Sequence, residues 1–201
     1  MRFQSVSRVS VLLAVAVVAP TLLLAQGATR PAFDRVTIGG RFGGLSGARG
    51  PDEADLTNWR LGWATSADVT VWLHEYVGLR ANGTWGQDSI KGTAPGMSGR
   101  RKLNKFSYDG DVVLRYPAEV GSAGWVIPYV FGGAGAASIH QLDSDDTFTK
   151  FAGTFGLGVE YRIKRIGFKA EGRDVVYQLD RWGFDRTQHD IVWDGGITVS
   201  F

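Results

Sequence analysis

From residue 33 onward the chain alternates apolar and polar side chains with a period of two, and no stretch shows the 3.6-residue period of a helix. That alternation reads as β-strands. In one segment Phe155, Leu157, Val159, Tyr161 and Ile163 share a face opposite Gly156, Gly158, Glu160 and Arg162. In another Phe106, Tyr108, Val112, Leu114 and Tyr116 oppose Ser107, Asp109, Asp111 and Arg115. Trp59, Leu61, Trp63, Ala67, Val69 and Val71 oppose Arg60, Gly62, Asp68 and Thr70, and Val77, Leu79, Ala81 and Trp85 oppose Arg80, Asn82 and Thr84. Further strands fall at residues 33–45, 125–139, 166–178 and 189–201, which makes eight. Asp174 lies on the apolar phase of its strand, a position that reads as a bulge or a strand end.

The connections alternate in length. Long polar segments at 46–57, 87–104, 140–147 and 179–188 follow strands one, three, five and seven, with shorter links near 73–76, 117–124 and 163–165. Long loops at one end and short turns at the other is the asymmetry of a bacterial outer-membrane barrel, although 117–124 is longer than that rule prefers. The sequence therefore predicts an all-β, eight-stranded, antiparallel up-and-down transmembrane barrel over residues 33–201. A soluble barrel would put the apolar face inside, and a membrane barrel puts it outside. Strand length favours the membrane, since about 9 to 11 tilted residues cross the hydrocarbon. So do Trp59, Trp72, Trp85, Tyr108, Tyr116, Trp125, Tyr161 and Trp193, which gather toward strand ends as interfacial girdles do. The polar face then supplies a luminal network of Arg41, Arg60, Asp68, Arg80, Asp109, Asp111, Arg115, Glu160, Arg162, Lys169, Glu171 and Arg173. Glycines such as Gly39, Gly43, Gly132, Gly133, Gly156 and Gly158 suit the curvature of so small a barrel. Eight strands enclose a space that side chains fill, so a passive pore is disfavoured.

The first 32 residues do not share this pattern. Arg2 and Arg8 flank a polar start, an apolar run follows, and Ala25, Gly27 and Ala28 supply small residues, which is the layout of an export signal. Residues 1–25 are read as a cleaved signal peptide and 26–32 as a short linker. The 201-residue chain carries 22 Lys and Arg against 20 Asp and Glu, so losing Arg2 and Arg8 leaves it formally neutral. Such a balance argues against a nucleic-acid partner. With no cysteine there is no disulfide scaffold, thiolate metal site or lipoprotein-type anchor, and a disulfide-free exported chain points to bacteria.

The final residues give the most specific signal. In Asp194-Gly195-Gly196-Ile197-Thr198-Val199-Ser200-Phe201 a polar residue and a glycine precede apolar residues at the third-last and last positions. Here the chain resembles the outer-membrane beta-barrel family, specifically the small eight-stranded barrels of the outer membrane protein A, X and W type, over residues 33–201. The resemblance implies that Asp194, Gly196, Val199 and Phe201 are read by the barrel-assembly machinery. It also implies a non-enzymatic, monomeric protein with no cofactor, in contact with outer-membrane lipid and lipopolysaccharide, whose four loops carry surface interactions. The chain departs from outer membrane protein A in ending at the barrel, so a wall-anchoring role is not carried over.

Several residues open other readings. Gly92, Gly96, Met97, Gly99, Arg100, Arg101 and Lys102 make the second long loop basic enough for lipopolysaccharide phosphates. Asp143, Asp145 and Asp146 offer hard oxygens but lack the spacing of a dedicated calcium loop. Ser138 and His140 with Asp143, or His189 and Asp190, are candidates for a lipid A deacylase-like enzyme, although that pattern has histidine first and serine two later. Trp72 and Val113 fall on the polar phase, as a narrow channel or a small-hydrophobe binder would need. A soluble lipocalin-like carrier is the remaining alternative.

Overall fold

The computed structural model describes residues 34–48, 57–92, 99–120, 124–141, 146–180 and 186–201. Nine strands form among them: β1 (Val36–Ala48), β2 (Thr57–Trp72), β3 (Val77–Gly92), β4 (Gly99–Arg115), β5 (Ala118–Val120), β6 (Gly124–Gln141), β7 (Asp146–Ile163), β8 (Ile166–Leu179) and β9 (Arg186–Ser200). Each wall strand pairs antiparallel with its neighbours in sequence, and β1 pairs with β9, so eight strands close into a ring. At the seam Val36 and Phe201 exchange backbone hydrogen bonds, and the hydroxyls of Thr37 and Ser200 lie 3.0 Å apart.

The ninth strand accounts for the overlong link. β5 continues the β4–β6 register past Pro117, pairing Ala118 with Val126 and Val120 with Gly124, so much of the extra length is ladder. A two-residue turn at Lys164 and Arg165, with Lys164 at φ 54°, and the Leu73–Tyr76 turn, closed by the His74 N–H on the Val77 carbonyl, complete that end. At the other end the strands run further than the sequence pattern suggests. β3 continues to Gly92 and β4 starts at Gly99, so most of the predicted 87–104 loop is ladder.

Register sets the shape of the ring. A line of paired residues from Thr37 passes through Thr70, Arg80, Asp111, Gly133, Thr154, Val175 and Asp190 and returns to β1 at Gly47, ten residues along. A stagger of ten over eight strands corresponds to a tilt of about 40° and a backbone radius of about 8 Å. That radius holds side chains and little else.

The two faces of the wall are inverted relative to a water-soluble protein. Ile38, Phe42, Val69, Leu79, Val112, Leu157, Phe168 and Ile197 are exposed, while Arg41, Asp68, Arg80, Asp111, Glu171 and Arg173 are buried. The soluble-carrier alternative requires the opposite, since it must hide its apolar face from water. On β9 the apolar outward run from Ile191 to Phe201 rises about 25 Å at this tilt, the height of the apolar band of an outer-membrane barrel. Replacing Val159, which faces out near the middle of the belt, with arginine is expected to cost about 2 to 4 kcal/mol. Urea titrations of the barrel folded in lipid vesicles measure this, and an unchanged midpoint would place the β7 outer face away from lipid.

The aromatic expectation needs correction in part. Trp85, Tyr108, Tyr161 and Trp193 face outward and are exposed, and Trp85 meets Trp63 edge-to-face at 5.0 Å. Trp72 instead turns inward, where its Nε1–H donates to the Thr37 hydroxyl at 3.0 Å. Trp125 sits on the same phase of β6 as the buried Ile127 and Tyr129, and Tyr116 stacks on Tyr76 beyond the wall. The Trp59 side chain lies outside the described residues. Gly132, expected to relieve curvature, is on the outward phase, where a Cβ would meet the Thr154 carbonyl at an ordinary 3.7 Å, whereas Gly156 and Gly158 make room for the rings of Phe131 and Tyr129 inside.

Candidate functional site

Among the described residues, chemistry-bearing side chains occur in two places, the lumen and the rim of the outer wall. The middle of the lumen is organised around Glu171. Its carboxylate accepts from Arg80 Nη1 at 2.6 Å, Arg173 Nη2 at 3.2 Å and the Tyr129 hydroxyl at 2.8 Å, with Arg41 and Lys169 each 3.7 Å away. Each cation also has a second acid. Arg80 reaches Asp111 at 2.7 Å, Arg173 holds Asp109 at 2.8 Å, and Arg41 pairs with Asp68 and lies 3.1 Å from Asp194. Asn82 accepts from Arg41 and donates to Asp109, and Thr154 donates to Asp111. The Arg80 guanidinium lies 3.9 Å over the Phe131 ring. Charges this dry are tolerated because nearly every one is paired and hydrogen-bonded.

Smaller groups close both ends. Toward the short turns Arg162 pairs with Glu160 at 2.6 Å, and Arg115 lies over Trp72 while donating to the Glu75 carbonyl. Toward the long connections Lys105 bridges Asp88 and Asp190, and Tyr177 donates to Asp190 at 2.9 Å. Beside them Leu103, Ile139, Phe148, Val175 and Leu179 form an apolar cluster inside the barrel. Trp72 and Val113 are luminal as their phase suggests, packed with Tyr129 and Phe131. Two cavities among these groups measure about 20 and 10 Å³, room for one water each at most. Neither accommodates a small hydrophobic ligand.

Of the twelve residues named as the luminal network, eleven are buried side chains of the lumen, and the Arg60 side chain lies outside the described residues. Asp88, Lys105, Asp190 and Asp194 also belong to the luminal charges and were not named with them. The sequence signal was present, since each sits on the polar phase of its strand. The four residues of the C-terminal signal divide between faces: Asp194 points in and accepts from Ser66 at 2.8 Å, while Val199 and Phe201 are exposed outside. A Cβ at Gly196 would overlap the Gly40 carbonyl of β1.

The outer wall rearranges the enzyme candidates. Ser138 and His140 bond to the hydroxyls of Thr149 and Thr147, and Asp143 lies outside the described residues. His189 does not act with Asp190, which faces the lumen; its Nδ1 lies 2.8 Å from Oδ2 of Asp174 on the outward side. Asp174 marks neither a bulge nor a strand end, because β8 keeps unbroken register with β7 and β9 through it. Among the described residues no group of three or more His, Cys, Asp or Glu could hold a metal ion. Of the proposed calcium acids, Asp146 opens β7 and Asp143 and Asp145 lie outside the described residues. Gly96 and Met97 lie outside them as well, and Lys102 is exposed at the start of β4.

A family model described as an outer membrane protein beta-barrel domain matches residues 10–200. Among solved structures, Neisserial surface protein A superposes with a TM-score of 0.54 at 13% identity, covering 83% of this chain and 97% of that one. The outer membrane protein OprG from Pseudomonas aeruginosa gives 0.53 at 13% identity, covering 85% and 98%. Identities this low speak for the fold alone. No curated protein matches the sequence.

Proposed function

The chain belongs to the outer membrane protein beta-barrel domain family, and from that premise we propose a monomeric surface protein in which the barrel is scaffold and the connections at the long end make the contacts. The observation that carries this reading is the filled lumen: charged pairs and apolar side chains occupy the interior, leaving cavities of about 20 and 10 Å³. Transport through the wall is then closed off, and the parts free to meet partners are the hairpin ends. Residues 1–25 direct export and are removed, and residues 26–32 link to the barrel. Asp194, Gly196, Val199 and Phe201 guide assembly on the barrel-assembly machinery. The short turns face the periplasm and the long connections the exterior, as in barrels of this kind. Arg100, Arg101 and Lys102 bring positive charge to lipopolysaccharide phosphates or to anionic partners.

Trypsin added to intact cells is expected to cut between Lys91 and Lys102 and to spare the Lys164–Arg165 turn until the membrane is permeabilised. The reverse pattern would overturn the orientation. To test the contact role, the tips at 49–56, 93–98, 142–145 and 181–185 are replaced by Gly-Ser runs of equal length. The expected barrel keeps its heat-modifiable gel mobility and its cells lose adherence to host matrix or resistance to serum. Unchanged adherence and unchanged serum resistance would remove the loops from the function.

A further inference from the structure

A charge on the lipid face of a membrane strand is costly, so an ionisable residue there calls for a function and a partner. Among the side chains described on the wall strands, two on the outward phase carry a formal charge: Lys102, at the rim, and Asp174. Asp174 is set in apolar surroundings, paired across the sheet with Phe155 on one side and Ile191 on the other, both exposed. Its partner is His189, the next outward position on β9 beyond Ile191, through the 2.8 Å contact to Nδ1.

The same rung of the sheet holds a third residue. Ile191 pairs with Ser46 on β1, so Asp174, Ile191 and Ser46 stand side by side on β8, β9 and β1. All share the outward phase, and Ser46 is half-buried there. Two interstrand spacings separate Asp174 from Ser46, about 10 Å, and His189, which pairs with Val176 and Ala48, stands on the strand between them two residues from their rung. With Nδ1–H donated to Asp174, the imidazole keeps its basic Nε2 on the side away from that acid, the tautomer a general base needs. Height fits as well. Ile191 tops the apolar run on β9 and Trp193 lies one outward position below it, at the level where aromatic rings mark the edge of the hydrocarbon. Acyl chains join lipid headgroups at that level.

We propose that Ser46, His189 and Asp174 form a hydrolytic site on the outer wall whose substrate is the carboxylic ester of an outer-leaflet lipid. Ser46 Oγ attacks the ester carbonyl carbon while its proton passes to His189 Nε2. The C–O bond to the headgroup breaks, and the leaving alkoxide takes that proton. Water then attacks the acyl-serine, giving its proton to Nε2. The fatty acid leaves and the Ser46 hydroxyl is restored. Ser46 and His189 are the catalytic residues, and Asp174 positions the imidazole. This activity is independent of the contacts made by the loops.

The test uses the full barrel, refolded in detergent and checked by heat-modifiable mobility, with two probes: a diacyl glycerophosphoethanolamine carrying labelled acyl chains, and lipopolysaccharide with labelled acyl chains. Release of labelled fatty acid from one probe or the other identifies the lipid. The Ser46→Ala and His189→Ala variants are expected to fold normally and to lose about 100-fold or more of the rate. An alkyl fluorophosphonate should label the parent protein and not Ser46→Ala. Asp174→Asn should also lower the rate about 100-fold, with part of it regained in Asp174→Glu, which a purely structural role would not produce. No release above the Ser46→Ala level from either probe, or equal fluorophosphonate labelling of both proteins, would overturn the proposal.

Discussion

Replacing Glu171 by alanine is expected to cost the barrel about 3 to 5 kcal/mol, because the remaining luminal cations stay buried while their shared acid disappears. Glu171 is the one described acid within 4 Å of four cations, Arg41, Arg80, Lys169 and Arg173, and it also accepts from Tyr129. Each of those cations keeps a second acid, Asp68, Asp109 or Asp111, so the lumen is weakened without every charge being stranded. Urea unfolding in lipid vesicles, followed by tryptophan fluorescence, measures the loss. The double variant Glu171→Ala with Arg80→Ala should lose less than the sum of the two single changes, since the second removes a cation that the first left short of a partner. A loss below about 1 kcal/mol for Glu171→Ala would mean that water enters the lumen and solvates the freed guanidinium groups.

Gly196→Val is expected to act at a different stage, by keeping the ring from closing. A Cβ at residue 196 would overlap the Gly40 carbonyl and crowd the Arg41 Cα, and on the facing strand a Cβ at Gly43 would overlap the Trp193 carbonyl. Both obstacles are backbone, so no side-chain rearrangement relieves them, and overpacking of this kind costs about 1 to 3 kcal/mol or more. Here the cost falls on the β1–β9 seam, and an open seam leaves two unpaired edges in hydrocarbon. The variant should run at its unfolded position on gels whether boiled or not. Gly40→Ala is the control, since a Cβ there meets nothing within 4 Å and the wild-type mobility should be kept. Normal folding of Gly196→Val would show that the strands part easily at the seam.

The fold was legible because a single physical rule governs most of it. Along a strand that separates lipid from a polar lumen, polarity must alternate residue by residue, and Phe155 to Ile163 or Phe106 to Arg115 show this without ambiguity. The rule weakens where the surroundings stop alternating. Near the long connections the wall passes out of the hydrocarbon, so Ile139, Phe148, Val175 and Leu179 point inward as an apolar cluster, and pattern alone misreads where the strands end. Trp72 shows a second limit. An indole can serve an interface or a lumen, and the choice is made by Thr37 and Arg115, contributed by β1 and β4. A third limit is partnership. Period two assigns Glu171 to the lumen but cannot identify it as the hub, which depends on the stagger that brings β1, β3 and β8 to one level. The Asp174–His189 pair was hidden for the same reason, because residues fifteen apart meet only once β8 and β9 are in register. Sequence proximity had instead suggested Asp190.

The packed lumen also bears on how many copies an envelope can carry. A wide porin admits antibiotics, bile salts and other small toxic solutes in proportion to its abundance, so its numbers are a compromise between feeding and protection. A barrel whose described interior is filled by paired charges and apolar side chains, with cavities of about 20 and 10 Å³ among them, carries no such penalty. On the proposed role, its copy number can rise with the demand for surface contacts while the permeability barrier stays intact.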